Sequence, residues 1–226
     1  MTLAGVPEVV VLASVDAALA GGAPLVQLRT KEGSDRTRLE LAAEVVDRCH
    51  RAGAWCLVND RADIAVASGA DGVHLGADDL PVAAVRALVG PDLVVGATCR
   101  EPVVARQAQA AGADYLGVGP AYVTTTKLGL PHPLGPGGVG RVAAAVDIPV
   151  VAIGGVTCER IPDLLDAGAH GVAVAGAAFA PAPAPPSAVG LGSVAGAVSP
   201  ATTAATGELV VSVERWVRAA GLGLRA

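Results

Sequence analysis

Residues 53–76 read GAWCLVNDRADIAVASGADGVHLG, and this stretch decides the fold. A Gly-Ala pair opens a short apolar run that ends in Asn59-Asp60-Arg61; a helical stretch follows, and a second Gly-Ala pair opens the next apolar run. The same punctuation recurs as Gly22-Ala23 before PLVQLR, Gly112-Ala113 before DYLGVG and Gly168-Ala169 before HGVAVAG. Each glycine follows an amphipathic stretch such as LELAAEVVDRCHRA or PVVARQAQAA, where a helix C-cap with positive φ is expected. Each following run is Val-rich without alternation, the pattern of a strand covered on both faces in a parallel sheet.

LVVGAT (93–98) and PVVAIGG (149–155) add two strands without the dipeptide. The seven strands therefore fall near residues 24–29, 56–59, 72–76, 93–98, 115–120, 150–155 and 171–176, alternating with helices. Repeated βα units predict an α/β fold, either a (β/α)8 TIM barrel or a doubly wound sheet. For the eighth strand the sequence offers VVVLAS (9–14), in a shortened or irregular first βα unit. The alternative is one helix over PEVVVLASVDAALAGG; three consecutive valines favour the strand. A single barrel domain is expected over 1–226, interrupted at about 180–208 by a low-complexity Ala/Pro/Gly/Ser/Thr insertion expected to be flexible. VVSVERWVRAA (210–220) is expected to supply a final amphipathic helix.

Composition narrows the function. With 226 residues there is room for one sizeable core. Gly (29) and Pro (16) make up a fifth of the chain and aromatics number five, so Ala, Val and Leu must build that core and base-stacking platforms are not expected. A formal charge of −5 and a pI near 5.3 give no basic field for nucleic acid. Mean hydropathy is +0.54, yet the longest uncharged stretch, 167–207, holds five prolines and one leucine and offers no apolar span; no membrane partner is expected. The first residues lack a basic region before their apolar run and Glu8 interrupts it, so a secretory signal is not expected and the cytoplasm is the default compartment. Cys49, Cys56, Cys99 and Cys158 form no metal-spaced set and are expected as reduced, mostly buried thiols.

Chemistry in such a fold sits where strands end. After the first run, alternation sends Gln27, Arg29 and Lys31 to one side, where two cations beside an amide suit a phosphate or diphosphate. Asn59-Asp60 and His74…Asp79 end neighbouring strands; Asp60 and Asp79 are the pair suited to a hard cation, although Asp78 or Asp79 also suits an N-cap for a helix starting at Pro81 and His74 a packed core histidine. Thr98 offers a hydroxyl to a phosphate or to the next helix. The loop Thr124-Thr125-Thr126-Lys127 has an anion-binding composition, with Lys127 as a solvated loop charge the plainer reading. Gly154-Gly155 and Ala175-Gly176, after the last two strands, present backbone N–H groups as a phosphate site.

Taken in order, VQLRTK, LVNDRADIAVASGADGVHLGADDLP, GADYLGVGPAYVTTTK and VVAIGGV resemble the thiamine phosphate synthase family over roughly residues 18–179. The resemblance implies a (β/α)8 barrel that uses Mg²⁺ to join a hydroxymethylpyrimidine diphosphate to a thiazole phosphate, releasing diphosphate. It implies pyrimidine diphosphate contacts at Gln27, Arg29, Lys31, Asn59, Thr98 and Lys127, with His74 beside them, and Mg²⁺ carboxylates at Asp60 and Asp79. It implies thiazole phosphate contacts at Thr124, Thr125, Thr126, Gly155, Ala175 and Gly176. The reacting set would be Lys127, Thr98, Arg29 and Lys31. The chain departs from the family in having Thr98 and Gly176 where serine is usual and Arg100 where histidine is common, and its first strand lacks the usual Thr-Asp end. A thiazole tautomerase-like paralogue and a non-catalytic phosphate-ligand barrel are the alternatives.

Overall fold

A computed structural model describes residues 7–30, 32–124, 129–174 and 209–211, the last three as backbone. The chain opens with helix α1 (Glu8–Ala20) and continues β1 (Leu25–Leu28), α2 (Asp35–Arg51), β2 (Trp55–Asn59), α3 (Ala62–Ser68), β3 (Gly72–Leu75) and α4 (Val82–Val89). There follow β4 (Val94–Cys99), α5 (Pro102–Ala110), β5 (Tyr115–Val118), α6 (Gly135–Ala143), β6 (Val150–Ile153), a 3-10 turn (Cys158–Arg160), α7 (Ile161–Asp166), β7 (Gly171–Ala173) and β8 (Leu209–Val211). β1 to β7 pair in sequence order, all parallel, and β8 adds antiparallel beside β1. All seven strands expected from the sequence are present. Among the described residues no helix is long and apolar enough to cross a membrane.

The Gly-Ala punctuation has a structural reason. The five glycines 22, 53, 69, 112 and 168 have φ between 71° and 103°, so each reverses the chain from helix to strand. The residue after the pair often ties the strand to its neighbour: Asp71 accepts the Cys56 N–H (2.8 Å), Asp114 the Val95 N–H (2.7 Å) and His170 the Val150 N–H (3.2 Å). Three strand starts are thereby anchored at the end of the sheet away from the loops that carry the site.

Two expectations are corrected. Residues 9–14 are not a strand: they lie within α1. Three β-branched residues cost a helix a few tenths of a kcal/mol each, whereas Val11 and Val15, spaced i and i+4, are buried in one cluster with Leu41, Val45 and Val46 of α2, worth roughly 1.5–3 kcal/mol apiece. Arg48 of α2 locks the pair with two 2.9 Å bonds to Asp16. Burial outweighs propensity. Residues 210 and 211, expected to begin the last helix, belong to β8; the rest of that helix and the 180–208 insertion lie outside the described residues.

Alternation divides the core. Leu25, Leu57, Val94, Tyr115, Val151 and Ala173, one from each of six strands, cluster on the sheet face turned away from the helices. Val26, Leu28, Cys56, Val58, Val73, Leu75 and Val95 face the other way and pack with α1, α2 and α3. The positions that share the inner face with Leu25, Leu57, Val94 and Tyr115 therefore set what lies at the strand ends.

Candidate active site

Counting in twos from those inner residues gives Gln27 on β1, Asn59 on β2 and Thr98 on β4, and the register sets His74 of β3 opposite Asn59. The structure brings them into one row. Gln27 Nε2 donates to Asn59 Oδ1 (2.6 Å), and Asn59 Nδ2 donates onward to Asp60 Oδ1. His74 sits between two hydroxyls, Nδ1 at 2.7 Å from Tyr115 Oη and Nε2 at 2.8 Å from Thr98 Oγ1. The row fits because glycine lines the facing strands: a Cβ on Gly96 would stand 2.1 Å from the Tyr115 ring, and one on Gly117 would stand 2.8 Å from His74 Cε1.

Burial pushes His74 down to about 4, so the imidazole is neutral at physiological pH. Burial also raises the Tyr115 phenol far above its usual range, and the Cys99 thiol to about 11. Cys99 is therefore a protonated core thiol rather than a nucleophile. Cys49 and Cys56 are likewise free and buried; Cys158 is free and exposed.

Asp60 follows β2 with φ 66°, a left-handed conformation uncommon outside glycine but adopted by Asp more often than by most residues. Its N–H donates to the His74 carbonyl (2.8 Å), which fixes the turn. Asp79 Oδ2 accepts the Gly76 N–H at 2.6 Å. A Cβ on Gly76 would lie 2.8 Å from Asp79 Oδ2 and 3.9 Å from Asp60 Oδ1, so the two carboxylates flank one glycine. Among the described residues no third His, Cys, Asp or Glu completes a protein cage for a metal. Two carboxylates at adjoining strand ends suit Mg²⁺, which typically takes one or two from protein and fills its remaining positions with phosphate oxygens and water.

The opposite wall is the loop after β5. Ala121 and Tyr122 donate to the carbonyls of Ile153 (2.7 Å) and Gly154 (3.0 Å), and Leu134 and Gly135 return to Pro120 and Ala121 (2.9 Å each). Gly155 has φ 66°, and a Cβ there would meet Val123 O at 2.4 Å, so this contact requires glycine. Pro120, Tyr122, Val123, Thr124 and residues 129–133 line a cavity of about 360 Å³. Arg29, the residue after β1, and Thr124, in the loop after β5, are half-buried. Lys31, Thr125, Thr126, Lys127, Ala175 and Gly176 lie outside the described residues.

Three residues gain a place that sequence reasoning did not give them. Tyr115 entered the sequence reading only as the start of the strand near 115–120, although a hydroxyl on an inner strand position was its signal. Arg100, noticed only as a departure, donates to the Gly119 and His132 carbonyls (2.7 Å each). Arg160 had no local signal: it donates to Gly155 O (2.6 Å) while its guanidinium lies 4.4 Å over the Tyr122 ring.

A family model described as thiamine monophosphate synthase matches residues 6–178. A thiamine-phosphate synthase of Salinispora arenicola (strain CNS-205) is 58% identical over 151 residues, covering 66% of this chain and 73% of that protein. The corresponding protein of Salinispora tropica is 54% identical over 154 residues, 68% of this chain and 74% of that one. Among solved structures, thiamine phosphate pyrophosphorylase from Pyrococcus furiosus superposes with a TM-score of 0.67 at 35% identity, over 72% of this chain and 78% of that chain.

Proposed function

The chain belongs to the thiamine monophosphate synthase family, whose enzymes are transferases that form thiamine phosphate, and on that premise we propose how its own residues carry the reaction. The substrates are a hydroxymethylpyrimidine diphosphate and a thiazole phosphate. The C–O bond between the pyrimidine methylene and the diphosphate breaks, the diphosphate leaving with the electron pair. The thiazole nitrogen lone pair then forms the C–N bond to the pyrimidine-methyl cation. Neither step needs a general base.

The observation that carries this reading is the pairing of a hydrogen-bonded neutral row with two carboxylates at one end of the sheet. His74 is neutral with both nitrogens engaged, and Cys99 is protonated, so neither is poised as base or nucleophile. Chemistry left to such a site is orientation, charge stabilisation and exclusion of water. Asp60 and Asp79 would hold Mg²⁺, which when bound would supply charge neutralisation to the departing diphosphate. Gln27 and Asn59 orient the pyrimidine substrate and hold Asp60; Arg29, Lys31 and Lys127 balance the diphosphate charge; Thr98 donates its hydroxyl to that substrate from a position set by His74. Thr124, Thr125, Thr126, Gly155, Ala175 and Gly176 take the thiazole phosphate. We read the sheet as a barrel closed by β8, which pairs with β1 and approaches β7 within 8 Å between Cα atoms.

The test is direct. Mixing both substrates with Mg²⁺ and the purified protein releases diphosphate and thiamine phosphate in equal amounts. Binding of both substrates with no turnover overturns the reading in favour of a phosphate-ligand barrel.

A further inference from the structure

Arg100 is the first residue after β4, and both terminal nitrogens of its guanidinium are spent on main-chain carbonyls rather than on the open site. Nη1 donates to Gly119 O and Nη2 to His132 O, each at 2.7 Å. These two carbonyls flank the loop that walls the 360 Å³ cavity, one just before Pro120 and the other within the 129–133 arm. The loop is fixed on the β6 side by main-chain bonds from Ala121 and Tyr122, and by Arg160 reaching Gly155 and stacking over Tyr122. On the β4 side Arg100 holds both arms.

We propose that Arg100 is a positioning residue for the thiazole phosphate: it sets the separation of the two loop arms, and thereby the shape of the cavity that Thr124 and Val123 line. The inference rests on the reading above for the identity of the ligand, but the clamp itself does not. A planar fork with rigidly spaced donors can bridge two carbonyls. A lysine supplies one point charge on a flexible stem and can favour only one arm at a time. An imidazole has two nitrogens pointing in divergent directions and cannot reproduce the fork. A charge-assisted bond to a carbonyl is roughly twice as strong as a neutral one, so loss of two such bonds frees the arms without removing any group that touches substrate.

The experiment compares Arg100→Ala and Arg100→Lys with the parent by two readouts. In steady-state kinetics, Arg100→Ala raises KM for the thiazole phosphate about tenfold while KM for the pyrimidine diphosphate stays within about twofold, and Arg100→Lys recovers part of the loss. In amide hydrogen exchange, Tyr122, Leu134 and Gly135 exchange about tenfold faster in Arg100→Ala, with the β2 and β3 amides unchanged as the control for folding. KM values that rise together, or arm amides that exchange as in the parent, overturn the proposal. If the parent itself forms no thiamine phosphate, the functional reading falls, and the exchange comparison alone decides the clamp: faster exchange supports it and unchanged exchange overturns it.

Discussion

Nε2 of His74 lies 2.8 Å from Oγ1 of Thr98, and the same ring meets the Tyr115 hydroxyl through Nδ1 at 2.7 Å. A neutral imidazole carries one N–H and one lone pair, so it links a donor on one side to an acceptor on the other. Either tautomer therefore orients the Thr98 hydroxyl. Protonation would bury a charged ring away from water, and that desolvation holds the ring neutral down to about pH 4.

That depression makes a stability prediction. The unfolded ring titrates near 6.5 and the native ring near 4, so between these values the unfolded chain binds more protons and stability rises with pH. The contribution is fully present above pH 6.5 and is lost progressively toward pH 4, on the order of 3 kcal/mol in all. His74→Gln removes the titration while keeping a donor and an acceptor. Urea unfolding of the metal-free protein between pH 4 and 7 should give a flatter dependence in the variant; equal slopes would reject the assignment.

Asp60 and Asp79 meet across Gly76, and each has a further structural duty, Asp60 in a left-handed turn and Asp79 on the Gly76 N–H. Asparagine tolerates the left-handed turn at 60, keeps the acceptor oxygen at 79 and removes the charge. Asp60→Asn and Asp79→Asn should therefore fold as the parent does, yet lose more than about 100-fold in turnover and need more Mg²⁺ for half-activation. Mg²⁺ titration of the rate is the measurement. An unchanged Mg²⁺ requirement in both variants would remove the metal from this pair.

Lys127 follows the three threonines of the β5 loop and is assigned to the charge that grows on the leaving diphosphate. Removal of such a group costs turnover more than ground-state affinity. Lys127→Ala should lower kcat by about 10²-fold or more with a melting temperature close to the parent's. A parental rate would sink the role.

Much of this was legible in the sequence because its signals are local. The Gly-Ala-Asp and Gly-Ala-His repeats mark a helix end, a strand start and the anchor between strands within three residues. Period-two alternation sends Gln27, Arg29 and Lys31 to one side of the first strand, and the polar residues after the other apolar runs mark Asn59, His74 and Thr98 as strand ends. What stayed hidden depends on partners far along the chain. Arg160 becomes meaningful only when the pairing of β5 with β6 brings Tyr122 beneath it, and Arg100 only when 119 and 132 meet. Residues 9–14 misled for the same reason: three valines announce a strand locally, and the surface that makes them helical is α2, more than 20 residues away.

The helical reading of 9–14 separates two valines. Val15 is fully buried against α2, and Val9 is 70% exposed. Val15→Ala should cost about 2 kcal/mol from lost burial and a small cavity. Val9→Ala should be neutral or slightly stabilising, since alanine is the better helix former. Chemical denaturation of both variants settles the matter. A strand would bury alternate residues, and equal costs at the two positions would revive it.

β8 is the segment that gives the sheet its eighth member, and it pairs antiparallel with β1 in the register Leu28↔Leu209, Gln27↔Val210 and Val26↔Val211. On its other side β1 pairs with β2 in parallel. Without β8, β1 becomes an edge strand whose unpaired N–H and C=O groups face water. Gln27 sits on that strand, so the consequence reaches the site through its bond to Asn59. A chain ending at Gly207 should melt about 5 °C or more below the parent, self-associate through the exposed edge, and bind the pyrimidine diphosphate more weakly. A chain lacking only 181–207 keeps β8 and should melt close to the parent. Equal melting of the parent and the chain ending at Gly207 would show that β8 contributes nothing to closing the sheet, and would leave β1 as its true edge.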